Sequence, residues 1–235
     1  MPTLTRPTAA HAPHTAGATV TDCAATPRRA RAKRGEGDRL RAEILDAVDT
    51  LLEQAGNRAA GCGEEAVSIR GVAELVGCTP PAIYLHFFDK HDLLLEVCTR
   101  RLAESTADLD RTIATITDPV AALEAEARAL VAFGLAHPEH YRVLFMGRAT
   151  GTGFRVEELR NDDLTGLDRL VARSRAATDA HALVIDEPEL VARNVWMVAH
   201  GIVSLLIAKP DLDWAPVDTL LDEVLHRHIE ALRAR

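Results

Sequence analysis

Residues 68–90 hold the side chains of this sequence that are best suited to binding a charged polymer. Tyr84, His86 and Lys90 offer a hydroxyl, an imidazole and an ammonium group within one short run. Such groups donate hydrogen bonds to phosphate oxygens and to base edges. Ser68 and Arg70 add a hydroxyl and a guanidinium ahead of them, and an arginine can bind the O6 and N7 atoms of guanine. The chemistry that these residues offer is recognition of nucleic acid.

Residues that could support catalysis or bind a metal ion are not grouped in the sequence. No nucleophile lies at a spacing that would give it a base and an orienting partner. His137 and His140 are close enough on a helix to share a metal ion, but no third ligand is evident beside them. The four cysteines form no C-x-x-C pair. We therefore expect no catalytic residue, no metal and no cofactor.

The composition predicts an all-α protein. Apolar residues make up 47% of the chain and aromatic residues only 4%, and most of the apolar ones are Ala, Leu and Val, which favours helices over sheets. No apolar run reaches the 18 residues of a membrane span, and the N-terminus has no apolar core of a secretory signal. We expect a cytoplasmic protein without a membrane partner.

Charge is distributed unevenly along the chain. The net charge is −8, but residues 1–101 carry equal numbers of basic and acidic side chains, so the acidic excess lies in the second part. Residues 1–34 are rich in Ala, Thr and Pro and are expected to be disordered. They end in a basic cluster, which beside a DNA-binding element would form an arm for phosphates or the minor groove. The cluster comprises Arg28, Arg29, Arg31, Lys33 and Arg34.

Two short helices joined by a tight turn are expected to position the polar side chains. Ser68 should cap a helix that Gly77 ends in a left-handed conformation. Thr79 should cap the next helix, with Pro80 and Pro81 in its first turn, where a missing N–H costs nothing. This is a helix-turn-helix, whose second helix fits the DNA major groove. The same connection occurs in enzymes and helical bundles, so spacing alone leaves those classes open.

The outward face of the second helix suits a duplex. Pro80, Pro81 and Ala82 would be exposed at its N-terminus, where they can pack on thymine methyl groups. Tyr84 would donate its hydroxyl to a phosphate or a base edge. Because the prolines leave few donors, we expect Arg70, thymine methyls and DNA shape to carry much of the specificity.

The rest of the chain is predicted to be helical. Asp89 should cap a helix, and four prolines each fit the first turn of a further helix. The prolines are Pro119, Pro138, Pro188 and Pro216. The predicted helices cover about 36–55, 69–76, 90–107, 119–135, 138–147, 157–178, 187–208 and 216–233.

The run SIRGVAELVGCTPPAIYLHFFDKHDLLLEV resembles the DNA-binding domain of TetR-family transcriptional regulators. The pattern A-x-x-x-G, Y-x-H-F, a lysine and a leucine pair is matched by Ala73, Gly77, Tyr84, His86, Phe87, Lys90, Leu93 and Leu94. The run WMVAHG resembles the W-x-x-x-H-G signature of one branch of that family. The loop between the first two helices is longer than the family usually has.

The resemblance implies the domains, the DNA contacts and the partners. Residues 35–89 would form the DNA-binding domain and residues 90–235 the regulatory and dimerisation domain. The family's base-facing positions are Arg70, Pro80, Pro81, Ala82 and Tyr84, and its phosphate-contacting positions are Ser68, Thr79, Tyr84, His86 and Lys90. Family members are homodimers on palindromic operators of double-stranded DNA. Pairing would use helices 187–208 and 216–233, whose apolar run VWMVAHGIVSLLIA must be buried on more than one side.

A small-molecule effector is expected to bind among the helices of the second part and to release a repressor from its operator. Candidate effector contacts are Phe133, Tyr141, Phe145, Trp196 and His200. For Trp196 and His200, packing in the core or the dimer interface is the competing interpretation. Three other functions stay open from the sequence: a ligand-independent DNA-binding protein, a helical enzyme, and a protein-interaction module in which Lys90 and the basic cluster would be incidental.

Overall fold

The computed structural model describes residues 37–56, 63–146 and 166–234, and these contain helices and no β-strand. The all-α prediction is therefore confirmed. In chain order the helices are α1 (Gly37–Gly56), α2 (Ile69–Val76), α3 (Pro80–Ile83), α4 (Lys90–Thr106), α5 (Leu109–Ile113), α6 (Pro119–Ala136), α7 (Pro138–Tyr141), α8 (Gly166–Asp179), α9 (Pro188–Ala208), α10 (Val217–Leu220) and α11 (Arg227–Ala231). A 3₁₀ turn spans Gly63–Ala66, and π-helical segments follow α7 and α10 at Arg142–Met146 and Leu221–His226.

The turn between α2 and α3 follows the sequence prediction with one difference. The Ser68 hydroxyl accepts a hydrogen bond from the Gly71 amide at 3.0 Å, as an N-cap does. Gly77 ends α2 with φ of 73°, a left-handed conformation that glycine adopts without strain. Thr79 occupies the N-cap position of α3, but its side chain makes no cap hydrogen bond. The prediction that Thr79 caps α3 is wrong in that respect, because Pro81 lacks an amide proton and the Ala82 amide donates to the Thr79 carbonyl oxygen instead, at 2.9 Å.

The three-helix N-terminal head (residues 37–89) is organised around a continuous apolar core. Ile44, Val48, Val72 and Ile83 are fully buried, and Phe87 is 2% exposed. These side chains come from α1, α2 and the α3 turn, so each helix contributes one apolar stripe to the shared core. The core continues into α4, which joins the head to the C-terminal region (residues 90–234).

The C-terminal region is built around α6, α8 and α9, which pack on one another. Pro119, Pro138 and Pro188 occupy the first turn of α6, α7 and α9, as predicted. Pro216 instead occupies the N-cap position before α10, so its predicted place inside the helix is wrong by one residue. A buried carboxylate also ties α6 to α8, because Arg169 donates to Glu126 at 2.6 Å.

Three helix predictions change in extent. The helix predicted over 138–147 is α-helical only to Tyr141 and then continues as a π-helical segment. The last helix contains a similar segment between α10 and α11. The first nine residues of the helix predicted over 157–178 lie outside the described residues, as do residues 1–36 with the basic cluster. Helix α5 was not predicted.

Helix α9 is long and apolar enough to cross a membrane by length and composition. Only 33% of its most apolar 18-residue stretch is buried within the described part of this chain. A core helix of a soluble protein passes the same test, so the finding is weak evidence for a span. It does show that a large part of the apolar surface of α9 has no cover from the described part of its own chain.

Candidate DNA-binding surface and regulatory core

The second helix of the turn presents a short, partly exposed surface. Helix α3 has a single turn, Pro80–Ile83, which Ile83 anchors in the core. Thr79 and Pro81 are exposed, and Tyr84 is 51% exposed. Pro80 and Ala82, predicted to be exposed, are half-buried instead, and Ala82 packs against the apolar core. The base-facing surface is therefore smaller than the sequence predicted.

Ser68 and Arg70 lie at the N-terminal end of α2. Both are exposed. The Ser68 oxygen accepts the cap bond from Gly71, while its hydroxyl proton can still donate to a phosphate. Arg70 is the second residue of the helix, and its exposed side chain can extend away from the core. The two polar groups thus stand at one end of the helix that packs against α3.

His86 and Lys90 follow the α3 turn, and the start of α1 lies beside them. Both are half-buried. A Cβ atom placed on Gly37 would lie 3.7 Å from the His86 ring, so α1 begins next to this histidine. The Arg41 guanidinium stands 5.1 Å over the Phe87 ring, a cation–π contact that holds α1 to the turn. The chain therefore enters α1 at the same end of the head as Lys90.

The N-terminus of α4 is fixed by a reciprocal cap. The Asp89 carboxylate accepts from the Asp92 amide at 2.8 Å, and the Asp92 carboxylate accepts from the Phe88 amide at 2.9 Å. The arrangement resembles a capping box with aspartate in both places, except that Asp92 binds the amide of the residue before the N-cap. It holds the segment between His86 and Lys90 in one conformation at the start of a helix of 17 residues.

A polar contact that the sequence analysis missed joins the head to the C-terminal region. His140 of α7 is 1% exposed, and its Nε2 atom lies 2.8 Å from a carboxylate oxygen of Asp49 in α1. Arg101 of α4 donates to the same carboxylate and, at 2.9 Å, to Glu53. Burial lowers the pKa of His140 below its ordinary value, although the Asp49 carboxylate acts in the opposite direction. No local pattern signals a contact between residues this far apart in the sequence.

Four of the five predicted effector residues form one connected row of rings, which we call the aromatic row. The Trp196 and His200 rings stack with centroids 5.0 Å apart, and His200 and Tyr141 stack at 5.7 Å. Tyr141 and Phe145 follow at 4.8 Å. The Tyr141 hydroxyl also lies 2.8 Å from the His200 Nδ1 atom. The row links α7 and the π-helical segment to α9.

Protonation and hydrogen bonding in the aromatic row follow from its burial. Burial raises the pKa of Tyr141 above its ordinary value, so the phenol stays protonated. Burial lowers the pKa of His200, which favours the neutral ring. The Nδ1 atom of a neutral His200 can accept a hydrogen bond from the Tyr141 hydroxyl. The Trp196 indole N–H is buried and has no hydrogen-bond partner among the described residues, which is unusual for a buried tryptophan.

Phe133, the fifth predicted effector residue, lies in a different cluster. It is 3% exposed and its ring is 5.5 Å from the ring of His137. His137 in turn makes an edge contact with His140 at 5.6 Å. Within residues 37–56, 63–146 and 166–234, no group of three potential ligands could hold a metal ion. The His140 nitrogen that could have joined such a group faces Asp49.

Two family models match this chain, and both describe the same family of regulators. Residues 44–97 match the family model described as bacterial regulatory proteins, tetR family, and residues 123–232 match the model described as tetracyclin repressor-like, C-terminal domain. A curated relative, the HTH-type transcriptional activator FasR of Mycolicibacterium smegmatis, is 25% identical over 182 residues, which cover 75% of this chain and 73% of the relative.

Solved structures have the same architecture. A protein with unknown function from Rhodococcus sp. RHA1 is 26% identical with a TM-score of 0.62, covering 83% of this chain and 96% of that one. A putative tetR family transcription regulator from Shewanella sp. PV-4 is 15% identical with a TM-score of 0.61, covering 83% and 99%. At that identity the second likeness concerns the fold alone.

Proposed function

Because the chain belongs to the TetR family and is a DNA-binding transcriptional regulator, we propose that it is a homodimeric repressor. It binds a palindromic operator and is released from it by a small molecule. Residues 35–89 form the DNA-binding domain and residues 90–235 the regulatory and dimerisation domain. It acts in the cytoplasm, where a bacterial chromosome is accessible. The observation that carries the effector part is the aromatic row, which contacts both the regulatory helices and the helix that touches the head.

The exposed apolar surface of the last helices supports the homodimer. Leu190, Met197 and Leu205 of α9 are 44%, 61% and 50% exposed, and Val217 and Val224 of α10 and its π-helical extension are 36% and 43% exposed. The spacings of seven and eight residues place each set along one side of its helix. Such a surface is more typical of an interface than of a monomer. Two copies would pack α9 and the last helix as a four-helix bundle.

Gly201 of α9 lies on this exposed surface, whereas Ala199 does not. A Cβ atom added to Gly201 would meet nothing within 4 Å, so Gly201 lies open on the α9 side that carries Met197. A glycine there permits close approach of a partner helix. Ala199, two residues earlier, is fully buried in its own protomer and is not available to a partner helix.

The DNA-binding surface of each protomer supplies one half of the operator contact. Arg70, Pro81 and Tyr84 face the major groove, with Pro80 and Ala82 contributing the edges that they leave exposed. Ser68, Thr79, His86 and Lys90 hold phosphates on either side. Two heads in one dimer must then meet half-sites about 34–36 Å apart, one turn of the duplex. The basic cluster preceding α1 adds phosphate contacts, because α1 begins beside His86.

The effector would act through α7. Tyr141 belongs to the aromatic row, and the preceding residue, His140, bonds Asp49 of the head. A molecule that accepts a hydrogen bond from the Trp196 indole and separates the rings would rotate α7 and disturb the Asp49 contact. Coupling between two sites is typically worth about 1–3 kcal/mol, or roughly 5–150-fold in operator affinity. Phe145, which packs on Tyr141, would line the apolar part of the effector site, whereas Phe133 packs on His137 outside the aromatic row.

Transcriptional activation is the second candidate, because the curated relative FasR is named an activator. Both candidates share the fold, the dimer and the DNA surface. They differ in what the bound protein does to the polymerase, which the DNA-binding surface does not decide.

The test is selection of duplexes from random DNA by the full chain, followed by affinity measurements on the selected sequence. We expect a palindrome bound by a dimer, and weaker binding on addition of some small molecule from a library of apolar compounds. Transcription in vitro from a promoter carrying the selected site separates repression from activation. Failure to select any sequence at low salt contradicts specific DNA binding. Binding that no compound changes contradicts only the effector part.

A further inference from the structure

Leu85 and Phe88, just after the α3 turn, are the most exposed of the large apolar side chains in the described residues. Leu85 is 84% exposed and Phe88 is 90% exposed. Single exposed apolar residues are ordinary on a protein surface. Leu85 and Phe88 are three residues apart in a turn, and together they form a small apolar prominence on the surface. Folding of the protomer does not require them to be apolar, so we look for a binding partner that they contact.

The position of Phe88 rules out a role in stabilising α4. It precedes the N-cap Asp89, where an apolar residue commonly packs against the fourth helical residue. That residue is Leu93, which is fully buried while Phe88 is exposed, so the contact is not made. The backbone at Phe88 is nevertheless held, because its amide donates to Asp92 at 2.9 Å. The ring is thus presented to solvent from a rigid base.

The neighbours of these two residues identify the partner. Leu85 directly follows Tyr84, and Phe88 stands two residues before Lys90, so the apolar side chains alternate with groups that bind DNA. A duplex offers apolar surface in the same place as its phosphates, on the deoxyribose rings and the thymine methyl groups. The continuity of the two sets favours DNA over a second protein as the partner.

We propose that Leu85 and Phe88 pack on the sugar and thymine-methyl surface of the operator, between its phosphate contacts. This proposal rests on the operator binding proposed above. Phosphate contacts release counterions, so their contribution falls as salt rises, whereas apolar packing releases none. The two side chains therefore supply affinity that does not depend on salt. They compensate for the few hydrogen-bond donors that a helix beginning with two prolines can offer.

The test uses the full chain and a duplex selected from random DNA by the unmodified protein. Phe88→Ser and Leu85→Ser should each weaken binding to it about tenfold, in line with the loss of a large buried apolar side chain. The slope of log Kd against log salt should stay unchanged. Phe88→Leu should recover most of the loss. Leu212→Ser, which changes another exposed leucine outside the head (56% exposed), is the matched control and should bind like the parent.

The experiment distinguishes failure of the operator proposal from failure of the proposed Leu85 and Phe88 contacts. If no duplex can be selected, the operator proposal fails before this one is reached. If a duplex is selected and both serine variants bind it with the parent Kd, Leu85 and Phe88 do not touch DNA and the inference is overturned. That conclusion holds even if the variants lose their effect on transcription in vitro, since such a loss would assign the prominence to a protein partner. A tenfold loss accompanied by a change in salt slope also overturns it.

Discussion

The Nε2 atom of His140 lies 2.8 Å from the Asp49 carboxylate, and this bond joins the helix that opens the head to the short helix α7. The next residue, Tyr141, bonds His200 of α9 at the same distance. Neighbouring residues of one helical turn are therefore anchored at opposite ends, one in the head and one in the proposed dimer helix. A displacement of α7 cannot leave both contacts unchanged, so α7 is the element through which the proposed effector would reach the head.

Removing the Asp49 carboxylate should destabilise the protein markedly. Asp49→Ala leaves the buried His140 and the partly buried Arg101 without their shared acceptor, and such unsatisfied groups cost about 1–3 kcal/mol. Chemical denaturation measures the loss. Asp46→Ala is the matched control, because its ion pair with Arg100 is on the surface with Asp46 70% exposed, where pairs are worth about 0–1 kcal/mol. Equal losses of unfolding free energy in the two variants would mean that the Asp49 contact stabilises the protein no more than a surface ion pair does.

Stability should fall as the pH drops from neutral through the range where free histidine titrates. Burial lowers the pKa of His140 and of His137, where Arg101 adds to the effect. A pKa lower in the folded protein means that the unfolded chain binds the proton first, so acid favours unfolding. Well above the ordinary histidine pKa of about 6.5 the ring is neutral in both the folded and the unfolded chain, and no stability is lost. Each such histidine steepens the decline by no more than about 1.4 kcal/mol per pH unit.

The comparison of two variants tests this pH dependence. The groups facing His140 are Asp49 from α1, Arg101 from α4 and His137 from its own turn. His140→Gln should flatten the decline in unfolding free energy between pH 7.5 and 5.5. His181→Asn should not, because His181 is exposed and asparagine tolerates its φ of 53°. A decline of equal steepness in parent and His140→Gln would contradict the assignment.

Lys90 and Arg70 should differ in what they contribute to DNA binding. Lys90→Ala should weaken binding to all duplexes alike and reduce the salt slope by about one unit, since it removes one phosphate contact. Arg70→Ala should instead cost about 1–3 kcal/mol on the selected duplex and relax the preferred base at one position. Fluorescence anisotropy on the selected and a scrambled duplex at several salt concentrations measures both. A uniform loss for Arg70→Ala would reassign that side chain to the phosphates.

A charge on the exposed side of α9 should split the dimer. Met197 is 61% exposed in the protomer, so Met197→Lys should leave the fold intact while placing an ammonium group in an apolar interface. We expect sedimentation as a single subunit at concentrations where the parent is a dimer, together with weaker operator binding. Leu212→Lys, also exposed but outside the helices, should remain dimeric. A dimeric Met197→Lys would move the interface away from this side of α9.

Sequence by itself determined the local geometry of the DNA-binding turn and the family. Ser68 caps α2, Gly77 ends it with a positive φ, and Asp89 caps α4, because each of these depends on groups within about four residues of one another. The spacing of Tyr84 and Lys90 in that turn also carried the TetR resemblance, which the family models confirm. Local rules failed where two effects compete, as at Thr79, where the Ala82 amide donates to the carbonyl oxygen and not to the hydroxyl.

Only the tertiary structure decided which distant side chains meet and which apolar residues stay uncovered. The pairs His140–Asp49 and Tyr141–His200 join residues 91 and 59 positions apart, and no spacing in the sequence specifies them. The family pattern in the sequence includes Phe87, but it does not specify where Phe88 lies. The fold buries the first and leaves the second 90% exposed, because adjacent residues in a turn point to different sides and only the packed helices define which side is the core.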